Sequence, residues 1–144
     1  MKALKGDKMV GLVIVCHGGM GSELIKAAEM IVGKLEGAEA VSIGHSGDVD
    51  KYNGEVAAAI GRARTDDGVL ILTDMFGGTP SNLSLAFLDE NKVEVVTGVN
   101  LPMIIKYANH RKDKDIKDLV KSVQEGGISS IIVASSMLSQ KARK

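Results

Sequence analysis

Two residues of this chain, His17 and Asp74, each stand between a short apolar run and a glycine-rich turn. The runs, 10–16 and 68–73, are rich in β-branched and aliphatic side chains, which is typical of buried strands. A carboxylate that accepts a hydrogen bond from one imidazole nitrogen fixes the tautomer and leaves the lone pair of the other nitrogen free to react. The pattern therefore predicts a reactive histidine that Asp74 orients. In the alternative interpretation, His17 is an ordinary surface residue and Asp74 is a helix cap or a solvated loop acid.

Small residues follow both candidates and favour the binding of an anion. After His17 come Gly18, Gly19 and Gly21, and after Asp74 come Gly77, Gly78 and Thr79. Glycine turns allow backbone N–H groups to point at an anion, and a helix that starts there adds the positive end of its dipole. An oriented imidazole beside such a nest suits a phosphorylated histidine, so the candidate phosphoryl-binding residues are Gly18, Gly19, Gly77, Gly78 and Thr79. The glycines serve equally well in a purely structural role, as tight strand-to-helix connections.

The elements that position these residues alternate regularly along the chain. Strands are predicted at 10–16, 40–44, 68–73, 92–97 and 128–135, with helices between them. This alternation predicts an α/β fold, a single doubly wound and mainly parallel five-stranded sheet with helices on both faces. We predict the strand order 2-1-3-4, in which the first and third strands are neighbours and His17 and Asp74 meet at the switch point. In the order 3-2-1-4 another strand separates them.

The composition is that of an ordinary globular domain. The chain has 144 residues, of which 44% are apolar and 3% aromatic, and its 18 basic and 18 acidic residues leave no formal net charge. Without a basic stripe or stacking aromatics, we predict no nucleic-acid partner. Cys16 is interpreted as a core residue, although its place beside His17 leaves a nucleophilic role open. His45 and His110 lack the spacing of metal ligands, so we predict neither a metal nor a cofactor.

The domain is predicted to span residues 9–136, with a flexible leader at 1–8 and a solvated tail at 137–144. Lys2 and Lys5 before the first apolar run resemble the start of a signal peptide, but no small-residue cleavage site follows. The run is also too short to span a bilayer. A single cysteine fits a reducing compartment, and these features together predict a cytoplasmic protein.

Three segments carry a resemblance to a known family, namely Val13–Gly18, Leu72–Asn82 and Gly98–Met103. Together they closely resemble the IIA domain of the mannose family of the bacterial phosphoenolpyruvate:sugar phosphotransferase system. The resemblance covers nearly the whole chain, from about Met9 to about Ser135. The patterns Asp-x-x-Gly-Gly-Thr-Pro-x-Asn and Gly-Val-Asn-Leu-Pro-Met are specific to that family, whereas His-Gly alone is a weak signal.

The resemblance implies a role for each site residue. In the family, the histidine at the position of His17 is phosphorylated by the small phosphocarrier protein HPr and passes the phosphoryl group to a IIB component. The aspartate that matches Asp74 holds the ring, and the hydroxyl that matches Thr79 lies near the phosphoryl group. Contact with the membrane is implied only indirectly, through a IIC/IID transporter. Some relatives carry a bulky aromatic residue where this chain has Gly19, which puts partner docking in doubt but leaves the core chemistry intact.

Exposed side chains around the site are expected to contact the protein partners. The expected partner-docking residues are Met20, Met75, Phe76, Asn100, Leu101 and Pro102. Apolar residues at the rim of a site form a platform that suits a protein partner rather than a free sugar.

The carboxyl-terminal run 128–134 is long, apolar and β-prone, and as a free edge strand it would invite aggregation. Gly126–Gly127 is predicted to stop the preceding helix, which starts at about residue 116, and to act as a hinge. Exchange of this strand, in antiparallel orientation, with a second copy gives a symmetric dimer at low cost. The resemblance implies the same strand-exchanged homodimer.

Two alternative functions from other classes stay open at this stage. One is a regulatory module, in which the same phosphorylated domain signals to other proteins without a dedicated sugar transporter. The other is a small chelatase-like α/β protein that uses a strand-end His-Gly to load a metal. The second alternative needs another metal-facing histidine, and neither His45 nor His110 follows a convincing strand end.

Overall fold

Short aliphatic runs form the strands of this domain, and amphipathic segments between them form the helices. The computed structural model describes residues 8–142, so the predicted leader, apart from Lys8, lies outside the described residues. The strands are β1 (Gly11–His17), β2 (Glu39–Ile43), β3 (Val69–Thr73) and β4 (Val93–Thr97). The helices are α1 (Met20–Val32), α2 (Val49–Ala63), α3 (Thr79–Leu85), α4 (Leu101–His110), α5 (Ile116–Ser129) and α6 (Ala134–Ala142). Among the described residues, no helix has both the length and the apolar character needed to cross a membrane.

The strands form one parallel sheet in the order β2-β1-β3-β4, which confirms the predicted order 2-1-3-4. His17, the last residue of β1, is paired in register with Ile43, the last residue of β2. On the other side of β1, Val15 is paired with Thr73, the last residue of β3. His17 and Asp74 therefore both leave the sheet at its carboxyl edge, where open α/β sheets bind their ligands.

Helices cover both faces of the sheet, which explains why the strands are apolar at almost every position. One face packs against α1, α4 and α5. On the other face, Val13 and Val15 of β1 pack with Tyr52 of α2, and Leu83 of α3 lies against the same cluster. Because successive strand residues point to opposite faces, His17 shares the orientation of Val13 and Val15. Its side chain therefore leaves the sheet on the face that α2 and α3 cover.

The prediction that Gly126–Gly127 ends the fifth helix is wrong. The helix α5 continues through both glycines to Ser129, and both are buried. A Cβ atom at Gly127 would lie 2.6 Å from Cγ of Met103, and one at Gly126 would lie 2.5 Å from Cγ of Lys106. The two glycines therefore allow α5 to pack closely against α4, and they do not interrupt the helix.

The predicted strand at 128–135 is not formed in the described chain, where the sheet has four strands instead of five. Its first two residues belong to α5, and α6 begins at Ala134. Strand propensity depends on packing against a neighbouring strand, and no strand of the described chain pairs with Ile131, Ile132 or Val133. Helix α6 also crosses the predicted domain boundary at 136 and takes up most of the predicted tail.

Candidate active site

The structure brings His17 and Asp74 into direct contact at the carboxyl edge of the sheet. Nδ1 of His17 lies 2.7 Å from Oδ2 of Asp74. The same oxygen accepts a hydrogen bond from the backbone N–H of His17 at 2.8 Å, and Oδ1 accepts one from the backbone N–H of Met75 at 2.9 Å. The backbone therefore holds the carboxylate in place, and the carboxylate in turn holds the ring.

The surroundings of Asp74 keep its carboxyl group ionised. The side chain is 11% exposed, and that burial alone would raise its pKa. The hydrogen bonds from His17 and Met75 outweigh burial, so the pKa of Asp74 lies below its ordinary value. Since an ionised carboxylate only accepts hydrogen bonds, we assign the ring proton of His17 to Nδ1. The lone pair then resides on Nε2, on a side chain that is 53% exposed.

Gly78 borders the other side of the histidine ring. A Cβ atom at this position would lie 3.2 Å from Cε1 of His17 and 3.5 Å from Cγ of Met75. The ring thus rests against the backbone of the turn that follows β3. The extended backbone of Gly78 suits any residue, but an added Cβ atom would force the histidine ring to shift by a few tenths of an ångström.

The turns on either side of the ring contain glycines in the left-handed region, Gly18 with φ +56° and Gly77 with φ +88°. This conformation disfavours residues with a Cβ atom. The amide of Gly18 donates to the carbonyl of Ile43 at 2.9 Å, so it extends the pairing of β1 with β2. Gly18 is a predicted phosphoryl-binding residue, but its N–H group already donates to Ile43. Gly18 therefore contributes the left-handed backbone conformation of the turn and not an N–H group for an anion.

The two helices that begin beside His17 lack a side-chain cap. Helix α1 starts after Gly19 and α3 after Gly78, and neither glycine offers a capping group. By contrast, side chains cap α2, α4 and α5, namely those of Asp48, Asn100 and Asp115. The first amides of a helix have no intrahelical acceptor. Those of α1 and α3 have no side-chain acceptor from the capping residue, although Pro80 in the first turn of α3 has no N–H group, and Thr79 is exposed at the start of α3.

Three of the expected docking residues are exposed apolar side chains close in sequence to His17 or Asp74. Met20, Met75 and Phe76 are exposed by 41%, 56% and 72%. Leu101 and Pro102, at the start of α4, are half-buried. These five residues leave apolar surface at or near the edge that carries His17.

Asn100, the sixth expected docking residue, has a structural role in this chain. Its Oδ1 accepts from the backbone N–H of Met103 at 3.1 Å and so caps α4. Its Nδ2 donates to the carbonyl of Gly127 at 3.2 Å and so joins α4 to α5. Both ends of the amide are used within the fold, and its place in partner docking stays a prediction.

The remaining nucleophilic and basic candidates lie outside the site. Cys16 is buried, and burial, with a smaller contribution from the charge of Asp74, raises the pKa of its thiol to about 12, which leaves it unreactive. His45 is exposed, and Nδ1 of His110 lies 3.4 Å from Oδ1 of Asp113 at the far end of α4. Over the described part of the chain, no three His, Cys, Asp or Glu side chains come together as metal ligands.

Two contributors to the site escaped the sequence analysis. The backbone N–H groups that hold Asp74 leave no signal in the sequence, since every residue but proline has one. The sequence pattern indicated Tyr52 only as a core residue of a helix, but its hydroxyl group contacts Gly44, next to the residue paired with His17. The sequence feature that could have indicated this contact is Gly44 followed, eight residues later, by Tyr52.

Comparison with known proteins places this site in a family. The model of the family described as "PTS system fructose IIA component" matches residues 11–124. Among curated proteins, the mannose-specific EIIAB component of the phosphotransferase system of Escherichia coli (strain K12) is 34% identical over 109 residues, 72% of this chain. The fructose-specific EIIA component of Bacillus subtilis is 28% identical over 131 residues, 90% of each chain.

Solved structures agree with the sequence matches. A phosphotransferase system EIIA component from Streptococcus agalactiae superposes with a TM-score of 0.80 at 25% identity, over 89% of this chain and 99% of that one. The mannose/sorbose-specific IIA subunit from Enterococcus faecalis gives a TM-score of 0.77 at 28% identity, over 87% and 94%. The sequence and the fold thus define a IIA component of the phosphotransferase system.

The chain belongs to the mannose-type EIIA family of the sugar phosphotransferase system. The match spans 32% of the length of the mannose-specific EIIAB relative, which is a longer protein. Because the chain belongs to this family, we reject the alternative of a chelatase-like protein.

Proposed function

We propose that His17 accepts a phosphoryl group on Nε2 from the phosphocarrier protein HPr and passes it to a IIB component. The observation that carries this proposal is the contact between Nδ1 of His17 and Oδ2 of Asp74 at 2.7 Å. That contact directs the free lone pair away from the carboxylate and toward the exposed side of the crevice.

Phosphoryl transfer to His17 needs no reactant other than the phosphorylated donor. The lone pair on Nε2 of His17 attacks the phosphorus of the donor phosphohistidine, and the donor P–N bond breaks as its electron pair returns to the donor ring. The proton on Nδ1 stays in place, so the phosphorylated ring carries a positive charge beside the Asp74 carboxylate. Ionised Asp74 stabilises that charge. Transfer to the IIB component runs the same step in the opposite sense, with His17 as the leaving group.

The phosphoryl oxygens need donors, and the uncapped start of α1 is the feature best suited to supply them. Amides at a helix N-terminus bind phosphate well because the helix dipole adds to their hydrogen bonds. We assign the hydroxyl of Thr79 and the backbone of Gly77 and Gly78 to the same role from the other side of the ring. This arrangement stabilises charge on the equatorial oxygens during transfer.

The two partner proteins share one docking surface in this proposal. HPr and the IIB component must each bring a reactive side chain to Nε2, so both approach over the exposed side of His17. Met20, Met75 and Phe76 supply the apolar contacts of that surface, with Leu101 and Pro102 at its margin. Gly19 adds no side chain, and a Cβ atom there would meet no other atom within 4 Å. The surface beside the ring is therefore open.

We further propose that the protein is a homodimer in which the carboxyl-terminal segment of each copy covers the β4 edge of the other. Strand β4 lies at the open edge of the sheet. A groove of about 500 Å³ runs along it and is lined in part by Leu85, Val95 and Ile128. In the segment itself, Ile131 and Val133 are exposed by 77% and 67%. Mutual burial of the segment and the edge removes both apolar surfaces from water.

The test of the transfer reaction uses the purified chain with phosphoenolpyruvate, enzyme I and HPr. We expect the intact protein to gain the mass of one phosphoryl group, stable in base and labile in acid, as a phosphohistidine is. His17→Ala should abolish the gain, whereas the matched variants His45→Ala and His110→Ala should retain it. Wild-type protein that gains no phosphoryl group, or His17→Ala protein that still gains one, contradicts the proposal.

A further inference from the structure

Tyr52 is nearly buried, at 5% exposure, yet its hydroxyl reaches a fully exposed loop at the carboxyl edge of the sheet. The backbone N–H of Gly44 donates to the Tyr52 hydroxyl at 3.0 Å, and the hydroxyl of Ser46 donates to it at 2.8 Å. A Cβ atom at Gly44 would lie 3.1 Å from the phenol oxygen, so the close approach depends on glycine. The hydroxyl of Tyr52, a residue of α2, therefore holds this loop in place through two hydrogen bonds.

The peptide unit between Ile43 and Gly44 is held at both of its polar atoms. Its N–H donates to Tyr52, and its carbonyl accepts from the amide of Gly18 at 2.9 Å. Gly18 is the residue after His17 and begins the left-handed turn that leads into α1. A single peptide therefore connects the Tyr52 hydroxyl to the turn that carries the reactive histidine.

The location of Tyr52 is consistent with a role at the site. Its ring belongs to the apolar cluster that contains Val13 and Val15, on the sheet face from which His17 projects. The hydroxyl therefore lies on the side of the sheet where the imidazole ring is held. With its ring buried, Tyr52 offers almost no surface to a partner protein, so any effect on transfer must act through the loop and the turn.

From this chain of contacts we infer that Tyr52 is a positioning residue for phosphoryl transfer. Its hydroxyl holds the Ile43–Gly44 peptide, which holds Gly18 and so fixes the His17 turn against Asp74. The inference rests on the proposed function of His17 as phosphoryl acceptor. Small displacements of a reacting group reduce rates strongly, so a loosened turn should slow the transfer step.

The test compares Tyr52→Phe with Tyr107→Phe in steady-state phosphoryl transfer from phosphorylated HPr to a IIB component. The second variant is a matched control because Tyr107 is also buried, and its hydroxyl donates to the carbonyl of Val10 at 2.6 Å, at the amino end of β1. For Tyr52→Phe we expect kcat to fall roughly fivefold, the scale of one lost hydrogen bond, with KM for HPr within about twofold of wild type. For Tyr107→Phe we expect wild-type kcat and KM.

A second variant and a second measurement separate positioning from general destabilisation. Ser46→Ala removes the other hydrogen bond to Tyr52 but leaves the Gly44 peptide bound, so its kcat should stay near wild type. Amide hydrogen exchange should accelerate at Gly44 and Gly18 in Tyr52→Phe but not in Tyr107→Phe.

Three results would overturn the inference: wild-type kcat in Tyr52→Phe, an equal loss in Tyr107→Phe, or an equal loss in Ser46→Ala. Failure of the wild-type protein to accept any phosphoryl group would instead contradict the proposed function, so the two failures are distinguishable.

Discussion

Oδ2 of Asp74 accepts two hydrogen bonds from one residue, His17, through its backbone N–H and its ring Nδ1. The histidine and the aspartate therefore form a closed hydrogen-bonded ring in which the imidazole has a fixed angle to its own backbone. Rotation of the ring would break a charge-assisted hydrogen bond, which is stronger than an ordinary one. The contact thus sets both the tautomer of His17 and the direction in which Nε2 points.

Replacing Asp74 with asparagine should slow phosphoryl acceptance while the protein stays folded. The amide can present either oxygen or NH₂ to Nδ1, so control of the tautomer is lost, and the charge opposite the phosphorylated ring is lost as well. We expect the rate of transfer from HPr to fall on the order of 10²-fold, the scale of a reacting group misplaced by about 1 Å. Rapid-quench kinetics with phosphorylated HPr provide the measurement.

The matched control for that variant is Asp115→Asn at the start of α5. Asparagine caps a helix about as well as aspartate. The helix that Asp115 caps is α5, which contains none of the site residues. Transfer should proceed at the wild-type rate in this control. If Asp74→Asn also keeps the wild-type rate, Asp74 is a structural residue and the orienting role is wrong.

Gly78→Ala should disturb the ring of His17 without straining the backbone. The new methyl group would lie 3.2 Å from Cε1, so the ring must shift by a few tenths of an ångström. We expect transfer to slow by roughly three- to tenfold. Gly61→Ala serves as control because this glycine lies within α2 with no atom near its absent Cβ, and it should stabilise the protein by about 1 kcal/mol. Equal transfer rates in the two variants would show that the ring does not depend on Gly78.

Cys16 should be chemically inert in the folded protein although it precedes the reactive histidine. With a pKa raised to about 12, only about one thiol in 10⁴ is ionised at pH 8. We expect no labelling by iodoacetamide in buffer and full labelling in denaturing urea, measured by intact mass. Rapid labelling of the native protein, or loss of phosphorylation in Cys16→Ala, would reopen a nucleophilic role for the thiol.

Truncation after Ser130 should convert the proposed dimer into a monomer. This end point keeps α5 whole, together with the hydrogen bond from Asn100 to the carbonyl of Gly127, so the domain retains its packing. In the full chain, Ile132→Asp should have the same effect, and Ser136→Asp in the same exposed segment should not. Sedimentation velocity over a range of concentrations measures the outcome. A full-length chain that sediments as a monomer at every concentration contradicts the dimer.

The four parallel strands were predictable from the sequence for a physical reason, whereas the meeting of His17 with Asp74 followed only when the fold rule for strand order was added. The central strands β1 and β3 are buried on both faces and so read as continuous apolar runs, whereas the edge strands β2 and β4 carry exposed polar residues such as Ser42 and Glu94. Each strand is followed by a glycine-containing turn at the carboxyl edge. Given those ends, the order 2-1-3-4 places the two residues side by side. His17 and Asp74 therefore lie where an apolar run gives way to a glycine turn, and the same change in the sequence marks the end of β1 and of β3.

The wrong or missing predictions concern residues whose structural role is set by contacts with distant parts of the chain. Gly126 and Gly127 look like a helix stop in isolation, but their small size is needed for contact with Met103 and Lys106 about twenty residues earlier. The apolar segment after them has strand propensity, but no strand of the described chain pairs with it. The role of Tyr52 was hidden because its partners are backbone groups, which periodicity does not reveal.

The measurement that most directly tests the account is the site of phosphorylation on the imidazole ring of His17. Protein labelled with ¹⁵N-histidine is phosphorylated through HPr and observed by long-range ¹H–¹⁵N correlation with ³¹P coupling. Because Asp74 holds the proton on Nδ1, we predict that phosphorus couples to Nε2 of His17 and that Nδ1 remains protonated. Coupling to Nδ1, or to a ring nitrogen of His45 or His110, would contradict the account.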